Sequence, residues 1–251
     1  LKFNIKKYEK FKKKIIYLIY NIEPSGIDEI KEEDNESIKS TKYILNAIKR
    51  ENGQRNFIEM GLSNATNEDI VLVSDVDEIP NLSDVNFNQM SNKIYLFKQD
   101  MFYYKFNLQI PNFKWVGTKA CKKKDLISPQ WLRNIKDRKY PFYRIDTFFS
   151  ETKYTNIKFI NEGGWHFSNI KTASEIEYKL KSYLHHREFD LEPLTKDQIE
   201  NIIKNKKAIY DLKVDKRINK IGNGSKLVQF NFEKLPKFIR ENKKIYKNWL
   251  D

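Results

Sequence analysis

The chain is short of the residues that staple small folds together. Among 251 residues it has one cysteine, Cys121, and three histidines. One cysteine forms no intrachain disulfide and no cysteine-based zinc site, which agrees with a reducing compartment. His185 and His186 are adjacent, so no His-x-x-x-His zinc pair exists. No apolar run reaches the roughly 18 residues that cross a bilayer. Residues 15–19 are far too short for that, and no signal-peptide pattern opens the chain. Only eight glycines are present, and no Gly-x-Ser-x-Gly elbow, Walker loop or Gly-x-Gly-x-x-Gly fingerprint occurs.

What the chain does have is aromatic and basic. Phe, Trp and Tyr make up 14% and all hydrophobic residues 39%, which describes a folded protein, since disorder goes with few aromatics. The length fits one large domain, and neither an internal repeat nor a low-complexity linker divides it. Lys plus Arg exceeds Asp plus Glu by 47 − 34 = +13. That excess suits an anionic partner such as a nucleotide or an acidic polymer. It equally suits a lysine-rich solvated surface, because the lysines are scattered, with small clusters at 12–14 and 122–124.

Periodicity predicts an early buried strand over residues 14–20. Helical pattern follows over 37–62, with Ile38, Ile44, Leu45 and Ile48 on one side and Gly53 expected to break it in two. Further strands are expected at 70–73, 94–97, 101–106, 114–120 and 157–160, the last running into Gly163-Gly164-Trp165-His166-Phe167-Ser168. Residues 122–156 read as an irregular segment facing substrate. The C-terminal third reads as helical. Thr172 with Glu175, and Thr195 with Gln198, have capping-box spacing. A last helix is expected from Pro236 to Leu250. Strands first and helices after them favour one α/β domain with a helical C-terminal part.

The chemistry concentrates in Ile70-Val71-Leu72-Val73-Ser74-Asp75-Val76-Asp77-Glu78-Ile79-Pro80. A β-branched run ends on three carboxylates, and strand tips are where open α/β sheets bind ligands. Two close carboxylates repel each other, and a dication bridging to phosphate oxygens relieves that repulsion. A polar turn with aspartate caps is the structural alternative. His166 is a candidate metal or phosphate contact or a hydrogen-bonded core histidine. Trp165 is a candidate sugar-stacking or core residue, and Trp115 shares the sugar-stacking reading. His185 and His186 would place charge at a helix C-terminus. Arg55 and Arg133 could each clamp a diphosphate or pair with a carboxylate.

Taken together, Gln54-Arg55-Asn56, Gly61-Leu62, Asp75-Val76-Asp77-Glu78-Ile79-Pro80 and Gly164-Trp165-His166-Phe167-Ser168 resemble glycosyltransferase family 17. So do Trp115-Val116-Gly117, Leu132-Arg133, Lys179-Leu180-Lys181-Ser182 and Leu235-Pro236-Lys237-Phe238. The resemblance covers nearly the whole chain in order. It implies a GT-A-like nucleotide-sugar transferase fold, a Rossmann-like mixed sheet with flanking helices. It also implies inverting transfer of N-acetylglucosamine from UDP-GlcNAc to a glycan or glycoprotein hydroxyl, in a β-1,4 linkage to mannose, with Mn²⁺ or Mg²⁺. On that carry-over Asp77 contacts the metal, and Asp75 reaches the ribose or a metal-bound water. His166 is a further metal or phosphate contact. Arg55, Asn56, Arg133 and Trp165 fall at the donor, and the proton-accepting carboxylate is among Glu78, Asp146, Glu151 and Glu162. Residues 1–251 are expected to form a single domain that lacks the family's N-terminal nucleotide-binding strand and helix. The chain opens on Leu, so upstream sequence is expected. No anchor of the animal type is present, so the expectation is a cytoplasmic enzyme if bacterial or viral, and a Golgi enzyme only with an anchor upstream. No nucleic-acid partner is expected. A metal-dependent phosphoesterase or nuclease, and a non-catalytic binder of anionic polymers, are the competing classes.

Overall fold

The computed structural model describes residues 3–89, 91–182, 193–210 and 224–251. His185, His186 and the predicted helix residues Tyr183 and Leu184 lie outside them. Two mixed sheets with flanking helices make an α/β architecture. The first sheet contains β1 (Ile70–Val73), β3 (Ile94–Phe97), β6 (Lys119–Lys122) and β7 (Ile157–Ile160), in the order β1-β6-β3-β7. The second contains β2 (Glu78–Pro80), β4 (Gln99–Tyr103), β5 (Leu108–Trp115), β8 (Gly164–Ser168) and β9 (Val228–Gln229), in the order β2-β8-β4-β5-β9.

The chain crosses between the sheets five times, and four of the crossings are short. Residues 74–77 link β1 to β2, Lys98 links β3 to β4, residues 116–118 link β5 to β6, and residues 161–163 link β7 to β8. Pairing changes at this seam. β1 lies beside β6, but its continuation β2 lies beside β8. Neighbouring strands that part company leave a crevice, and ligands of α/β sheets gather where strand order changes. The acidic turn sits in that seam.

Each sheet is sealed by its own core. Val71, Val73, Ile94, Leu96, Cys121 and Ile157 meet Trp131, Leu132 and Ile135 of the α2 region, α2 being Pro129–Asn134. Burial pushes the Cys121 thiol up to about 12, so the lone cysteine is a small core residue rather than a nucleophile. One face of the second sheet puts Met101, Tyr103, Leu108 and Ile110 against α3 (Ala173–Ser182), with Ile176 and Leu180, and against Ile199 of α4 (Lys196–Lys204). Its other face puts Phe102 and Phe167 against the C-terminal segment at Leu235 and Ile239.

Both predicted capping boxes form. The Thr172 N–H donates to Glu175 Oε2 at 2.8 Å, and the Thr195 N–H donates to Gln198 Oε1 at 2.8 Å. Four expectations need correction. Residues 15–20 form no strand and pair with neither sheet, and Ile16 and Ile19 lie exposed. Only their alternate side chains rest on the first long helix, α1 (Glu36–Phe57), where Tyr20 meets Phe57. Gly53 does not break α1. It makes room for the Tyr20 hydroxyl, which a Cβ there would strike. The apolar side of α1 is no core face either, since Ile38, Leu45 and Ile48 are exposed and only Asn46 is buried. The helix expected from Pro236 is brief, α5 (Lys237–Glu241), followed by turns.

Gly164 has φ +120 at the β8 residue paired with Pro80, and a Cβ there would run into the Ile79 carbonyl oxygen. L-residues rarely adopt this backbone, and no flexible side chain stands ready to yield. Gly164→Ala is therefore expected to destabilise the fold by about 3 kcal/mol or more, read from urea denaturation. An unchanged midpoint would contradict the register of β2 on β8.

Candidate active site

Strand β1 ends at Val73 because the carboxylates that follow cannot enter an apolar core. Ser74 anchors the turn. Its hydroxyl donates to the Glu78 carbonyl at 2.9 Å and lies 2.7 Å from the Thr118 hydroxyl. The Glu78 N–H closes the turn on the Asp75 carbonyl at 3.0 Å. Asp75 and Asp77 then leave in different directions.

Glu78 is the buried member, with 1% of its side chain exposed. A buried carboxylate is costly unless its lone pairs are filled. Here they are. Trp115 Nε1–H donates at 2.7 Å, the Asp75 N–H at 3.1 Å and Arg133 Nη1 at 2.9 Å. Gly117 permits this approach, because a Cβ at that position would collide with the Glu78 carboxylate. Arg133 also donates to the Gly117 carbonyl.

Arg133 is in turn held from below. Lys119 is buried on β6, and its Nζ donates to the carbonyls of Arg133 and Ile135, at 2.6 and 2.5 Å. Those are carbonyls at the C-terminal end of α2, where a cation is favoured. Burial brings the Lys119 ammonium down to about 8, with the neighbouring Arg133 charge adding to it.

Asp75 bridges two arginines. Arg133 Nη2 donates to its Oδ2 at 2.6 Å, and Arg55 Nη2 to its Oδ1 at 3.3 Å. Arg55 is also held by Glu51 at 2.9 Å and by Gln130 of α2. Asn56 accepts the Gln130 N–H at 2.9 Å. Arg55, Asn56 and Arg133 therefore lock α1 and α2 onto the acidic turn. Beside Asp75 a cavity of about 230 Å³ opens between Tyr20, Gln54, Arg55 and Phe57.

Asp77 faces the other way. Its side chain is 38% exposed, and its Oδ2 lies 3.4 Å from His166 Nε2. Its carbonyl accepts the Phe167 N–H at 2.8 Å, which ties the turn to β8. Burial alone would raise the Asp77 pKa. Hydrogen bonding to His166, aided by the charges of His166 and Lys179, overcomes that and holds it below the ordinary carboxylate value. The His166 ring packs on Trp115 with centroids 5.0 Å apart, and its Nδ1 is buried without a partner among the described residues.

The other residues singled out in the sequence fall elsewhere. Trp165 projects from the opposite face of β8, where Ile79 and Asp100 are its register partners. Glu162 lies past the Gly164 end of β8 and lines a cavity with Trp165. Asp146 sits on the segment beyond α2. Arg144 grips it in bidentate fashion at 2.6 and 2.7 Å, and Lys153 adds a contact at 2.9 Å. Those hydrogen bonds, Arg144's first, hold its carboxyl far below the usual range. Glu151 is exposed on the same segment. Thr118, Gln130 and Lys119 had gone unnoticed in the sequence. The spacing of Gly117-Thr118-Lys119 after Trp115 was the available sign, but only the seam gives it meaning.

No group of three His, Cys, Asp or Glu side chains among the described residues converges on a metal position. Asp77 is nonetheless open to solvent and ionised, and metals that travel with a phosphate ligand need only one or two protein carboxylates. The donor set fits a cation of that kind.

The acidic turn thus lies at the sheet seam with two arginines and an open cavity beside it. The family model described as glycosyltransferase family 17 matches residues 2–251. The chain belongs to that family and is a glycosyltransferase. Its reaction is glycosyl transfer between a sugar donor and an acceptor, which displaces the phosphoesterase and binding-module readings. Neither the curated proteins nor the solved structures yield a match. No described helix is long and apolar enough to cross a membrane.

Arg133 and Glu78 form a pair whose side chains are 12% and 1% exposed. Arg133→Ala strands a buried charge and is expected to cost about 3–5 kcal/mol in urea unfolding. Adding Glu78→Gln should recover part of that loss. A loss below about 1 kcal/mol would assign the pair the weak coupling of a surface contact.

Proposed function

We propose that this glycosyltransferase moves N-acetylglucosamine from UDP-GlcNAc to a glycan hydroxyl with inversion at the anomeric carbon, in a GT-A-like arrangement. The observation that carries the reading is the divergence of the two aspartates across the seam. Asp75 faces the cavity beside Tyr20 and Phe57, and Asp77 faces solvent beside His166.

On this reading the nucleoside enters the Arg55 side of the seam. Tyr20 and Phe57, with rings 5.4 Å apart, supply its apolar wall. Arg55 and Arg133 spend their hydrogen bonds on Asp75 and Glu78. Their work is to set the turn and to offset its negative charge as a diphosphate approaches. Asp77 is the residue that would hold a divalent cation, and a cation bound there would neutralise charge gathering on the departing UDP.

His166 is a positioning residue in this scheme. A metal on Nε2 would drive the ring proton to Nδ1, which is buried and has no acceptor among the described residues. Metal-bound histidines nearly always donate that second N–H. The proton therefore stays on Nε2, aimed at Asp77, and fixes the carboxylate.

Glu78 has both oxygens occupied, so it serves as the fixed counter-charge of Arg133 and not as the proton acceptor. Asp146, held ionised by Arg144 and Lys153, is a weak base for the same reason that its pKa is low.

A thermal-shift series checks this reading. UDP-GlcNAc with Mn²⁺ should raise Tm, and a ligand at 100 times its Kd adds about 2.7 kcal/mol of stability. Asp77→Ala should abolish both the shift and the transfer without lowering the unliganded Tm. Equal stabilisation in the presence of a chelator, or full transfer by Asp77→Ala, would contradict the role given to Asp77.

A further inference from the structure

Consecutive residues of β8 face opposite sides of the second sheet. His166 belongs to the side of Asp77 and Trp115. Trp165 belongs to the other, where the C-terminal segment covers Phe102 and Phe167. On that second side a cavity of about 340 Å³ is lined by Asn81, Asp100, Glu162, Trp165, Phe230 and Lys234.

Its chemistry is specific. Asp100 is only 7% exposed. Its Oδ1 accepts from both Gln109 and Lys114, the latter at 2.8 Å, while its Oδ2 accepts from nothing among the described residues. That oxygen is not sealed off but opens on the cavity, where a hydroxyl of a bound molecule can donate to it in place of water. Glu162 likewise accepts no hydrogen bond among the described residues and opens on the same space. The Trp165 ring cannot swing aside, because its Nε1–H donates to the Lys234 carbonyl at 3.0 Å.

Each feature restricts the ligand. An anion would meet two carboxylates. A purely apolar molecule would leave Asp100 and Glu162 unpaired. A neutral polyhydroxyl ring satisfies the whole set. Its hydroxyls donate to Asp100 and Glu162, its oxygens accept from the Asn81 amide, and its C–H face packs on the fixed indole. We propose that this cavity is a saccharide subsite, which holds a sugar of the acceptor glycan away from the point of transfer. The proposal rests on the glycan-acceptor reading above. The layout supports such a division. The cavity lies at the Gly164 end of β8 and Asp77 at the Phe167 end, with the short edge strand β2 between.

The test uses the full chain and three neutral probes, mannotriose, chitotriose and maltotriose, followed by saturation-transfer NMR and calorimetry. At least one probe should bind. Glu162→Gln and Asn81→Ala should each weaken it by about tenfold, the equivalent of one lost hydrogen bond to a charged group. Glu162 is exposed, so its variant should fold normally. Asp77→Ala should lose UDP-GlcNAc binding and keep probe binding. Probe binding with no UDP-GlcNAc binding in the parent chain would count against the donor assignment and sustain this subsite. The inference is overturned if no probe binds, if both variants bind the probe as the parent does, or if calcium alone occupies the cavity.

Discussion

The structure depends on one buried carboxylate. Glu78 lies where two sheets meet, and it is stable there only because a guanidinium, an indole N–H and a backbone N–H converge on it. Each of those donors imposes a requirement of its own. Trp115 must end β5 with its ring turned inward. Position 117 must lack a side chain. Arg133 must leave α2 at the one point from which it reaches both Glu78 and Asp75, and Lys119 must cap the helix end beneath it. The residues that surround Glu78 therefore work together, and their combined product is a turn with fixed geometry.

That fixed turn separates tasks. Asp75 is committed to arginines and Glu78 to the core, while Asp77 is half-exposed with His166 beside it at 3.4 Å. Strand β8 carries the division further, with His166 on one face steadying Asp77 and Trp165 on the other lining a polar cavity.

Much of this was legible in the chain. The apolar run at 70–73 followed by acids marked both a strand and the site. The capping boxes at Thr172 and Thr195 marked helix starts correctly, because a cap is a local signal. Residues 14–20 misled because an apolar run does not say whether its side chains have a core to enter, and Ile16, Tyr17 and Ile19 lie exposed. Strand β5 was missed over most of its length, since Pro111 and the positive φ of Asn112 interrupt an otherwise clear alternation of buried and exposed residues. The roles of Arg55 and Arg133 were legible as charge but not as geometry. Their partners Asp75, Glu78 and Gln130 lie 20 to 75 residues away, a separation that only the seam between the sheets closes.

Amide hydrogen exchange on the unliganded chain tests the rigidity of the acidic turn most directly. The account predicts that the N–H groups of Asp75, Glu78 and Phe167, which donate to Glu78 Oε2, the Asp75 carbonyl and the Asp77 carbonyl, exchange as slowly as those of the buried strand β3. Exchange at these three amides as fast as in the exposed stretch around Phe148 and Phe149 would show that the turn is not held, and would contradict it.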